Sequence, residues 1–439
     1  MLNKNNILTF IKNHKAYVIS VSALIVSALV FFCTSMIIAK TTQRPIAINT
    51  ADDLDIIRNN LSGYYLIKKD IDFSSYSTNE EKDGWVPLGT KEQPFTGKID
   101  FNYHTLSNLH FSDSYISNQF LDENVDEVLI GFLGYSSGTI IHANIYNPHI
   151  PELNDYKDNS KCVIFGTACA INDGYVTTIS SVFLTGHNSF CGNNFIFGTL
   201  VGVNNKQILN VLSSNTISIS PYGEGIVGGI AGKSTNGSTY SYIVRRGYIT
   251  VNIDKEFNHD FYIGGITGVA DNTSFTNVFH GPTNYNSIDN SITIKTSSTV
   301  PDIYAGGISG YISGSNSVLK NCYSCSAISI NGDNFQNSGT VIGKAVAGVH
   351  LQSVVADNVL MINSGGIQRK RIPIGNVDGG VDVKNSIYIA RNSSDIANNV
   401  EGFKEESFEN VSLSKLGWPT DTTKGFWTKG SVIFYLTVL

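Results

Sequence analysis

The sequence predicts an all-β solenoid, and three observations support that prediction. The first is a glycine-marked unit: Gly-Gly-Ile-Ala-Gly at 228–232, Gly-Gly-Ile-Thr-Gly at 264–268 and Gly-Gly-Ile-Ser-Gly at 306–310. The second is the spacing, because with looser copies the units end at 134, 170, 202, 232, 268, 310 and 347, and steps of 30 to 42 residues are typical of a stacked repeat. The third is a short strand-like segment after most of the units, found at 139–145, 207–212, 248–253, 274–279 and 327–330.

The residue types of the unit fit one rung of such a solenoid. Glycine lets another stretch of backbone come close, and the Ile or Leu between the glycines supplies an apolar side chain to bury. A single rung has no core of its own, so neighbouring rungs stack and share a core along the axis. The unequal steps predict loops of different length, and the spacing fits either one long rung or two short rungs per step.

Composition restricts the class of partner. Of the 439 residues 15% are charged, and the net charge is -6 with a pI of about 5.8. A nucleic acid is disfavoured as partner, because the chain has no basic field to neutralise phosphates. The compact basic run at 369–371 is interpreted as a solvated loop, with a functional patch as the alternative. Abundant Asn and Ser, with 41 Gly and 10 Pro, predict turn-dense β structure with Asn at the bends.

The N-terminal segment predicts attachment to a membrane. Lys4, Lys12 and Lys15 precede 16–39, a run of 24 residues without a charge. At about 1.5 Å per residue this run is about 36 Å long, enough to cross a hydrocarbon core of about 30 Å. Secretory apolar regions are shorter, so an anchor is favoured over a signal peptide cleaved after Ala39. The lysines hold their end in the cytoplasm, which predicts that the rest lies in the cell envelope or, after cleavage, is secreted.

Two helices are predicted near the ends of the exported part. The first begins at Thr50, with Asp53 three residues later as in a capping box, and ends at Gly63. The segment 64–73 then reads as a strand. The second helix is predicted over 401–416, from apolar residues at helical spacing, and Gly417 is placed to stop it. Helix and final strand together predict a C-terminal cap, since a solenoid must cover its last rung.

Three segments near the start of the repeats resemble a known family: INTADDLDIIRNNLSGYYLIKKDIDFS, GWVPLG and PFTGKIDFNYHTLSNL. Together with the repeated Gly-Gly-Ile-x-Gly units, they resemble bacterial surface proteins built from GLUG-type repeats. The same arrangement lies upstream of the catalytic part in IgA-cleaving peptidases of streptococci. The resemblance covers about 47–436 and implies a right-handed parallel β-helix with a short N-terminal helical cap. The sequence departs from the family at Phe101 and Tyr103, where glycines are common, and in lacking the family's terminal Pro.

These observations predict six segments. They are a cytoplasmic basic segment (1–15), a transmembrane anchor or long signal peptide (16–39), a linker (40–48), an N-terminal cap with the first rungs (49–128), a GLUG-like repeat β-helix (129–384) and a C-terminal cap (385–439).

Searches for catalytic motifs identify no catalytic, cofactor-binding or metal-binding residue. None of the nine histidines is followed by Glu, so the His-Glu-x-x-His zinc motif is absent and the peptidase activity of the long relatives does not transfer. The segment around Ser309 fails the spacing of a serine nucleophile elbow. The glycine-rich units open no helix, which excludes a phosphate loop.

Carboxylates supply the one enzymatic alternative. Solenoids that cleave polysaccharides use paired carboxylates on one exposed face. The candidates are Asp254, Glu256, Asp260 and Asp271, and the pair Asp378 and Asp382. Each lies in a segment rich in turn-forming residues, where acids are ordinary.

The cysteines of the exported part are odd in number: Cys162, Cys169, Cys191, Cys322 and Cys325. Cys322 and Cys325 lie three apart in a strand, so they are predicted to point to opposite faces and not to bridge. Cys169 occupies a core position of its unit and is predicted to be a buried thiol. A bridge between Cys162 and Cys191 stays open.

The sequence therefore predicts a membrane-tethered solenoid that acts by interaction. The expected role is a non-catalytic adhesin or envelope interaction protein, with a host or cell-surface protein or glycan as partner and the membrane bound through 16–39. The alternatives are a carbohydrate-active β-helix enzyme, either a lyase or a hydrolase, and a structural subunit of an envelope assembly.

Overall fold

The computed structural model describes most of the chain beyond its N-terminal segment. The described residues are 44–78, 83–151, 153–184, 189–253, 257, 259–282, 290–296, 302–325, 327–331, 336–357, 360–363, 367–391, 396–397, 402–421, 423, 425–431 and 433–438. The chain divides into two units, Met1–Ile46 and Ala47–Leu439, and the second contains the fold described below. The predicted anchor at 16–39 lies outside the described residues. Within those residues, no helix combines the length and the apolar character needed to cross a membrane.

The second unit is a parallel β-solenoid of the right-handed type, which confirms the predicted all-β solenoid but does not show the predicted N-terminal helical cap. Its described strands form three long sheets, numbered here 1 to 3, with 23, seven and eight strands. Every described pairing within sheets 2 and 3 is parallel. One rung crosses sheet 2, then sheet 3, then sheet 1.

The strands have the following bounds. Sheet 2 contains Glu127–Ile130, Cys162–Gly166, Asn194–Gly198, Gly225–Gly228, Phe261–Gly264, Ile303–Gly306 and Ser338–Gly339. Sheet 3 contains Leu133–Ser136, Cys169–Asn172, Val201–Asn204, Ala231–Ser234, Thr267–Asp271, Ser309–Ser313, Ile342–Val346 and Ile374–Asp378. Sheet 1 contains Ile46–Ile48, Tyr64–Ile67, Ile71–Asp72, Lys98–Asp100, Thr105–Ser107, Thr139–Ile141, Asn144–Tyr146, Tyr175–Leu184, Ser189–Gly192, Gln207–Pro221, Thr239–Ile253, Ser274–Gly281, Asn290–Thr296, Val318–Ser324, Ala327–Asn331, His350–Gln352, Val355–Ala356, Leu360–Asn363, Ile367–Arg371, Asp382–Lys384, Ser386–Ile389, Ile396–Ala397 and Phe403–Glu406. A separate antiparallel hairpin joins Gly425–Lys429 to Phe434–Val438.

Each glycine-marked unit is the tight turn of one rung. Gly228, Gly264 and Gly306 stand in direct register across sheet 2, so each of these steps is one long rung. At Gly264 an added Cβ would lie 1.9 Å from the carbonyl oxygen of Thr267, which is why no larger residue fits the turn. The last predicted copy, ending at 347, is wrong by four residues: Ser309 pairs with Ile342, which places residue 343 beside 310.

The core lies between the three sheets and is continuous along the stack. Inward-facing side chains of the same position stack from rung to rung, and Phe165 and Phe197 illustrate this with parallel rings whose centroids are 4.9 Å apart. The same column continues through Val227 and Ile263, both fully buried. Each rung contributes one apolar residue to the column, so neighbouring rungs bury these side chains against one another. The stabilisation is hydrophobic and does not depend on directional contacts.

Asparagines mark one corner of the rungs in sheet 1. Asn210, Asn277, Asn321 and Asn385 all have positive φ, between 49° and 55°. Asn tolerates this left-handed conformation better than other non-glycine residues. Stacked asparagines also bond to one another, since Asn321 Nδ2 donates to Asn277 Oδ1 at 3.1 Å. The predicted placement of Asn at bends is confirmed at this corner.

A charged and a titratable residue lie inside the core. Arg245 is fully buried, and its Nη1 donates to Gly247 O at 2.8 Å and to His280 Nε2 at 3.2 Å. Because a guanidinium has only donors, His280 accepts and its ring is neutral. Burial lowers the pKa of Arg245 to about 9. Burial, with the charge of Arg245, lowers the pKa of His280 well below its ordinary value.

The buried histidine predicts a specific acid sensitivity. Its depressed pKa means that protonation favours the unfolded chain, so its contribution to stability is complete above about pH 6.5 and is lost as the pH falls. We expect the free energy of unfolding of the unchanged protein to fall more steeply between about pH 6.5 and pH 4.5 than that of His280→Gln, which has no proton to gain. Urea unfolding followed by circular dichroism at several pH values measures both slopes. Equal slopes would contradict the assignment.

The N-terminal helix forms where predicted but as a 3₁₀ helix, Asp52–Asn59. Asp53 N donates to Thr50 Oγ1 at 3.2 Å, and Thr50 N donates to Asp53 Oδ2 at 3.1 Å, so the predicted capping box is present. The helix ends before Gly63, and the predicted strand at 64–73 is two strands, Tyr64–Ile67 and Ile71–Asp72. An α-helix at Asp113–Leu121 was not predicted; Ser112 Oγ caps it by accepting from Tyr115 N.

The C-terminal segment runs along the side of the stack. Phe403–Glu406 pairs with Ser386–Ile389 at the last rung. The described residues of 408–438, named here the C-terminal strap, then pack on sheet 1 from outside. They cover a column of outward-facing apolar residues that stand in register in five successive rungs: Val244, Phe279, Tyr323, Val355 and Ile387.

Two predictions for this end of the chain are wrong. The predicted helix at 401–416 is a strand, a short 3₁₀ helix at Phe408–Asn410 and a short α-helix at Leu413–Leu416, because backbone pairing with the last rung overrides the helical spacing. Gly417 does stop that helix, with φ +67°. The basic run is not a solvated loop: Ile367–Arg371 is a strand, and buried Arg371 pairs with Glu405 at 3.1 Å.

Candidate functional site

Sheets 2 and 3 meet at an outward-facing seam. The tight turn of each rung joins a strand of sheet 2 to a strand of sheet 3, which brings outward-facing side chains of both sheets together. The last glycine of the unit makes room for them, since an added Cβ at Gly268 would lie 2.7 Å from Ile226 Cγ2 in the preceding rung. The seam is defined as the outward-facing side chains of sheets 2 and 3 beside these turns.

The seam changes from aliphatic to aromatic along the axis. In the earlier rungs it is a small apolar cluster that includes Ile164, Ile171 and Val203. In the later rungs it contains Tyr262 and Tyr304 from sheet 2 and Tyr311 from sheet 3. The rings of Tyr262 and Tyr304 stack at 4.6 Å, and Tyr311 meets both edge-on, at 6.1 and 5.9 Å between centroids. Tyr304 is buried, whereas Tyr262 and Tyr311 are half-buried, so part of the aromatic cluster reaches solvent.

A column of carboxylates borders the tyrosines. Glu224, Asp260 and Asp302 each directly precede a strand of sheet 2, and those strands are in register. The three acids therefore occupy equivalent positions in successive rungs, at a strand spacing of about 4.8 Å. Asp302 is held by two bonds: its Oδ1 accepts from Asn337 Nδ2 at 3.0 Å, and its Oδ2 accepts from the Tyr304 hydroxyl at 3.4 Å.

The acids and burial keep the tyrosine hydroxyls protonated. Burial raises the pKa of Tyr262 to about 12, with Asp260 and Glu224 adding to the effect. Burial and the charges of Asp260 and Asp302 also raise the pKa of Tyr304. At neutral pH both residues are therefore neutral phenols that can donate a hydrogen bond, while the neighbouring carboxylates accept.

The sheet 3 side of the seam has a different charge. Lys233, Val269, Tyr311 and Lys344 stand in register in four successive rungs. Carboxylates thus border the aromatic part of the seam on the sheet 2 side, and in the sheet 3 column lysines stand before and after Tyr311 along the axis. This arrangement suits a ligand with many hydroxyl groups, which needs both donors and acceptors, and it gives no uniform field for a polyanion.

The structure separates the acids that the sequence singled out. Asp260 lies in the carboxylate column of the seam. Asp271 lies at the other end of its sheet 3 strand, where it accepts from Ser313 Oγ at 2.8 Å and from Asn272 Nδ2 at 2.9 Å. Asp382 pairs on the surface of sheet 1 with His350 and Lys384, and Asp378 ends the last strand of sheet 3. Asp254 and Glu256 lie outside the described residues.

Sequence reasoning missed most of the seam. Glu224, Asp302 and the three tyrosines were not singled out, although a signal was present. An acid stands four residues before each Gly-Gly pair in Glu-Gly-Ile-Val-Gly-Gly, Asp-Phe-Tyr-Ile-Gly-Gly and Asp-Ile-Tyr-Ala-Gly-Gly, beginning at 224, 260 and 302. In a solenoid, equal offsets from a repeated unit mean neighbouring positions in space.

The cysteines behave as structural thiols. Cys322 packs in the core and Cys325 in the cluster under the strap, which confirms that they point to opposite faces. Cys169 is buried as predicted, and burial raises its pKa. Cys162 and Cys191 are not bridged. Among the described residues no group of three or more His, Cys, Asp or Glu is placed to hold a metal ion.

Comparisons of the chain with protein-family models, with curated proteins and with solved structures give no match.

Proposed function

We propose that the protein is a non-catalytic adhesin or interaction protein of the cell envelope that binds a glycan along the aromatic part of the seam. The observation that supports this most is the group of Tyr262, Tyr304 and Tyr311, which joins two sheets and leaves two of its three rings partly accessible to solvent. Binding sites of this class combine an apolar or aromatic surface with a few placed polar groups. The neighbouring Asp260 and Asp302 supply those groups.

The chemistry of the seam matches a sugar better than a peptide or a nucleic acid. The carbon-bound hydrogens of a sugar ring pack on an aromatic face, and its hydroxyls bond to carboxylates and phenols. Asp302 is pre-oriented by Asn337, whose Oδ1 in turn accepts from Asn376 Nδ2 at 2.8 Å, so little ordering is needed on binding. The repeat of equivalent positions along the axis favours a chain of sugars over a single one.

The proposal includes the family and the location. We place the protein with the GLUG-type surface proteins, anchored through 16–39. The 3₁₀ helix Asp52–Asn59 then covers the first rung, and Phe403–Glu406 closes the last. Fractionation of cells that express the full chain, with intact-mass measurement, tests the location. Recovery of a mass that lacks the first 39 residues from the medium would replace the anchor by a cleaved signal peptide.

A tyrosine substitution tests the seam. The full-length chain, purified in detergent, is first applied to an array of neutral and charged glycans, and the affinity of the best-bound oligosaccharide is then measured by calorimetry. We expect Tyr311→Ala to weaken this affinity by about tenfold, because it removes the half-exposed ring that meets both other tyrosines. Tyr175→Ala is the matched control, since Tyr175 is an exposed tyrosine of sheet 1. No binding on the array, or equal affinities for the two variants, would contradict the proposal.

The carboxylate column favours a second candidate, a polysaccharide hydrolase. Two carboxyl groups about 5 to 10 Å apart are the requirement for glycoside hydrolysis, and rungs spaced by about 4.8 Å place neighbouring and next-neighbouring acids in that range. Incubation with the bound oligosaccharide separates the two functions. Release of shorter products would establish the enzyme, and an unchanged oligosaccharide the adhesin.

A further inference from the structure

A concave site, named here the cleft, lies on the outer face of sheet 1. It has a volume of about 490 Å³ and opens where four successive strands of the sheet end. The polar residues that line it are Ser220, Tyr222, Asn252, Lys295, Thr296 and Asn331. The cleft lies beside the carboxylate column, because the sheet 1 strand Gln207–Pro221 leads directly into the sheet 2 strand Gly225–Gly228 and Tyr222 stands two residues before Glu224. Its lining contains none of the three seam tyrosines.

Register explains how these residues come together. Asn252 pairs with Lys295, and Lys295 pairs with Asn331, across three strands of sheet 1. Ser220 continues the same column, since it follows Ile219, the partner of Val251. Four rungs at about 4.8 Å per strand give a polar strip about 14 Å long. Three short polar side chains therefore flank one lysine at regular spacing.

The first rung of the cleft also supplies an aromatic ring. Tyr222 follows the strand Gln207–Pro221, and 41% of it is exposed. Its hydroxyl donates to Asn154 Oδ1 at 3.3 Å, which fixes the ring at one end of the strip. A fixed, exposed aromatic ring beside amides and hydroxyls is the arrangement that a sugar ring needs.

Charge specifies the kind of sugar. Within the described residues Lys295 is the one charged side chain that lines the cleft. A lysine ammonium is a compact point charge with three donors, which suits one small anionic group such as a carboxylate. One such charge among neutral amides and hydroxyls matches a single carboxylate on a hydroxylated ring.

We propose that the cleft binds a sugar that carries a carboxylate. Lys295 pairs with the carboxylate, Asn252 and Asn331 bond to the ring hydroxyls on either side, and Tyr222 stacks on the neighbouring sugar. Uronic acids and sialic acids share this chemistry. The seam tyrosines do not line the cleft, so the two proposals can be tested with different variants.

Three oligosaccharides test the cleft on the full-length chain. Trigalacturonate and sialyllactose carry the carboxylate, and lactose is neutral. We expect calorimetry to detect at least one acidic oligosaccharide with an affinity about tenfold or more above that of lactose, and to lose it when about 0.5 M salt screens the ion pair. Binding of trigalacturonate alone identifies a uronate site, and binding of sialyllactose alone a sialate site. Equal affinity for lactose, or no binding of either acidic sugar, would overturn the proposal.

Three variants assign that binding to the cleft. Lys295→Met removes the charge and keeps an unbranched apolar side chain. We expect it to weaken the affinity for the acidic oligosaccharide by about tenfold. Lys295→Arg keeps the charge and retains most of the affinity. Lys320→Met removes another exposed lysine of sheet 1 and changes nothing. If Lys295→Met binds the acidic oligosaccharide as tightly as the unchanged protein, the cleft proposal is wrong even if the seam proposal holds. We expect Tyr311→Ala to leave the affinity for the acidic oligosaccharide unchanged.

Discussion

Replacement of Asp357 by alanine is expected to lower the free energy of unfolding by about 3 to 5 kcal/mol, as for other buried ion pairs that lose one partner. Asp357 is fully buried and accepts from Arg391 Nε and Nη2 and from the Tyr323 hydroxyl. Burial raises the pKa of the Asp357 carboxyl, while Arg391 and Tyr323 both favour its ionised form. Loss of the carboxylate leaves the buried Tyr323 hydroxyl without its acceptor and the partly exposed Arg391 guanidinium without its counter-charge.

The effect extends to the strap because Arg391 also lies over the ring of Phe408, 5.0 Å from its centroid. Denaturant unfolding followed by circular dichroism measures the change. Asp382→Ala is the matched control: its carboxylate pairs with His350 and Lys384 on the surface, and exposed pairs contribute about 0 to 1 kcal/mol. If the two variants unfold at the same midpoint, the buried pair does not stabilise the fold as described.

Replacement of Trp427 by alanine is expected to cost about 3 to 5 kcal/mol and to detach the strap. Trp427 is buried, lies 4.2 Å from Trp418 between ring centroids, and its Nε1 donates to Asn277 Oδ1 at 3.3 Å. Its loss leaves a cavity and removes one of two hydrogen bonds to Asn277 Oδ1, which still accepts from Asn321 Nδ2. The column under the strap, which includes Phe279 and Tyr323, then faces water as an apolar patch.

Two readouts separate strap detachment from general instability. Binding of a fluorescent apolar dye at neutral pH reports the exposed column, and urea unfolding reports stability. Thr428→Ala, on the exposed side of the same hairpin strand, is the control and is expected to change neither. A Trp427→Ala protein that unfolds like the Thr428→Ala protein and binds no more dye would show that the strap is dispensable.

The repeating part of this fold was predictable because the constraint on each rung is local. A turn that only glycine fits has to reappear once per rung, so residues 228, 264 and 306 disclose the register directly. The prediction was wrong at the last copy, where Gly339 is followed by Thr340-Val341 instead of Gly-Ile. The unrelated segment 343–347, which has Gly and Ala at its ends, resembles the repeated unit more closely. The capping box at Thr50 was found for the same reason, since it depends on neighbours in sequence.

The strap was not predictable, because it depends on contacts between residues far apart in sequence. Phe279 and Tyr323 are typical strand residues, and the sequence around them does not indicate that another segment covers their side chains. The spacing of Phe403, Phe408 and Val411 fits a helix, yet pairing of 403–406 with the last rung decides the conformation. Of the candidate site, Asp260 was found by its chemistry, whereas Glu224 and Asp302 needed the register of the rungs.

The strap changes how this solenoid responds to force and to heat. In a solenoid whose rungs contact only their neighbours, the rungs can unfold one at a time from a free end. Here the C-terminal strap packs on all the rungs from Val244 to Ile387. We therefore expect these rungs to unfold together as one cooperative unit. A force that pulls on the C-terminal end therefore has to detach the strap before it can unfold the rungs beneath it.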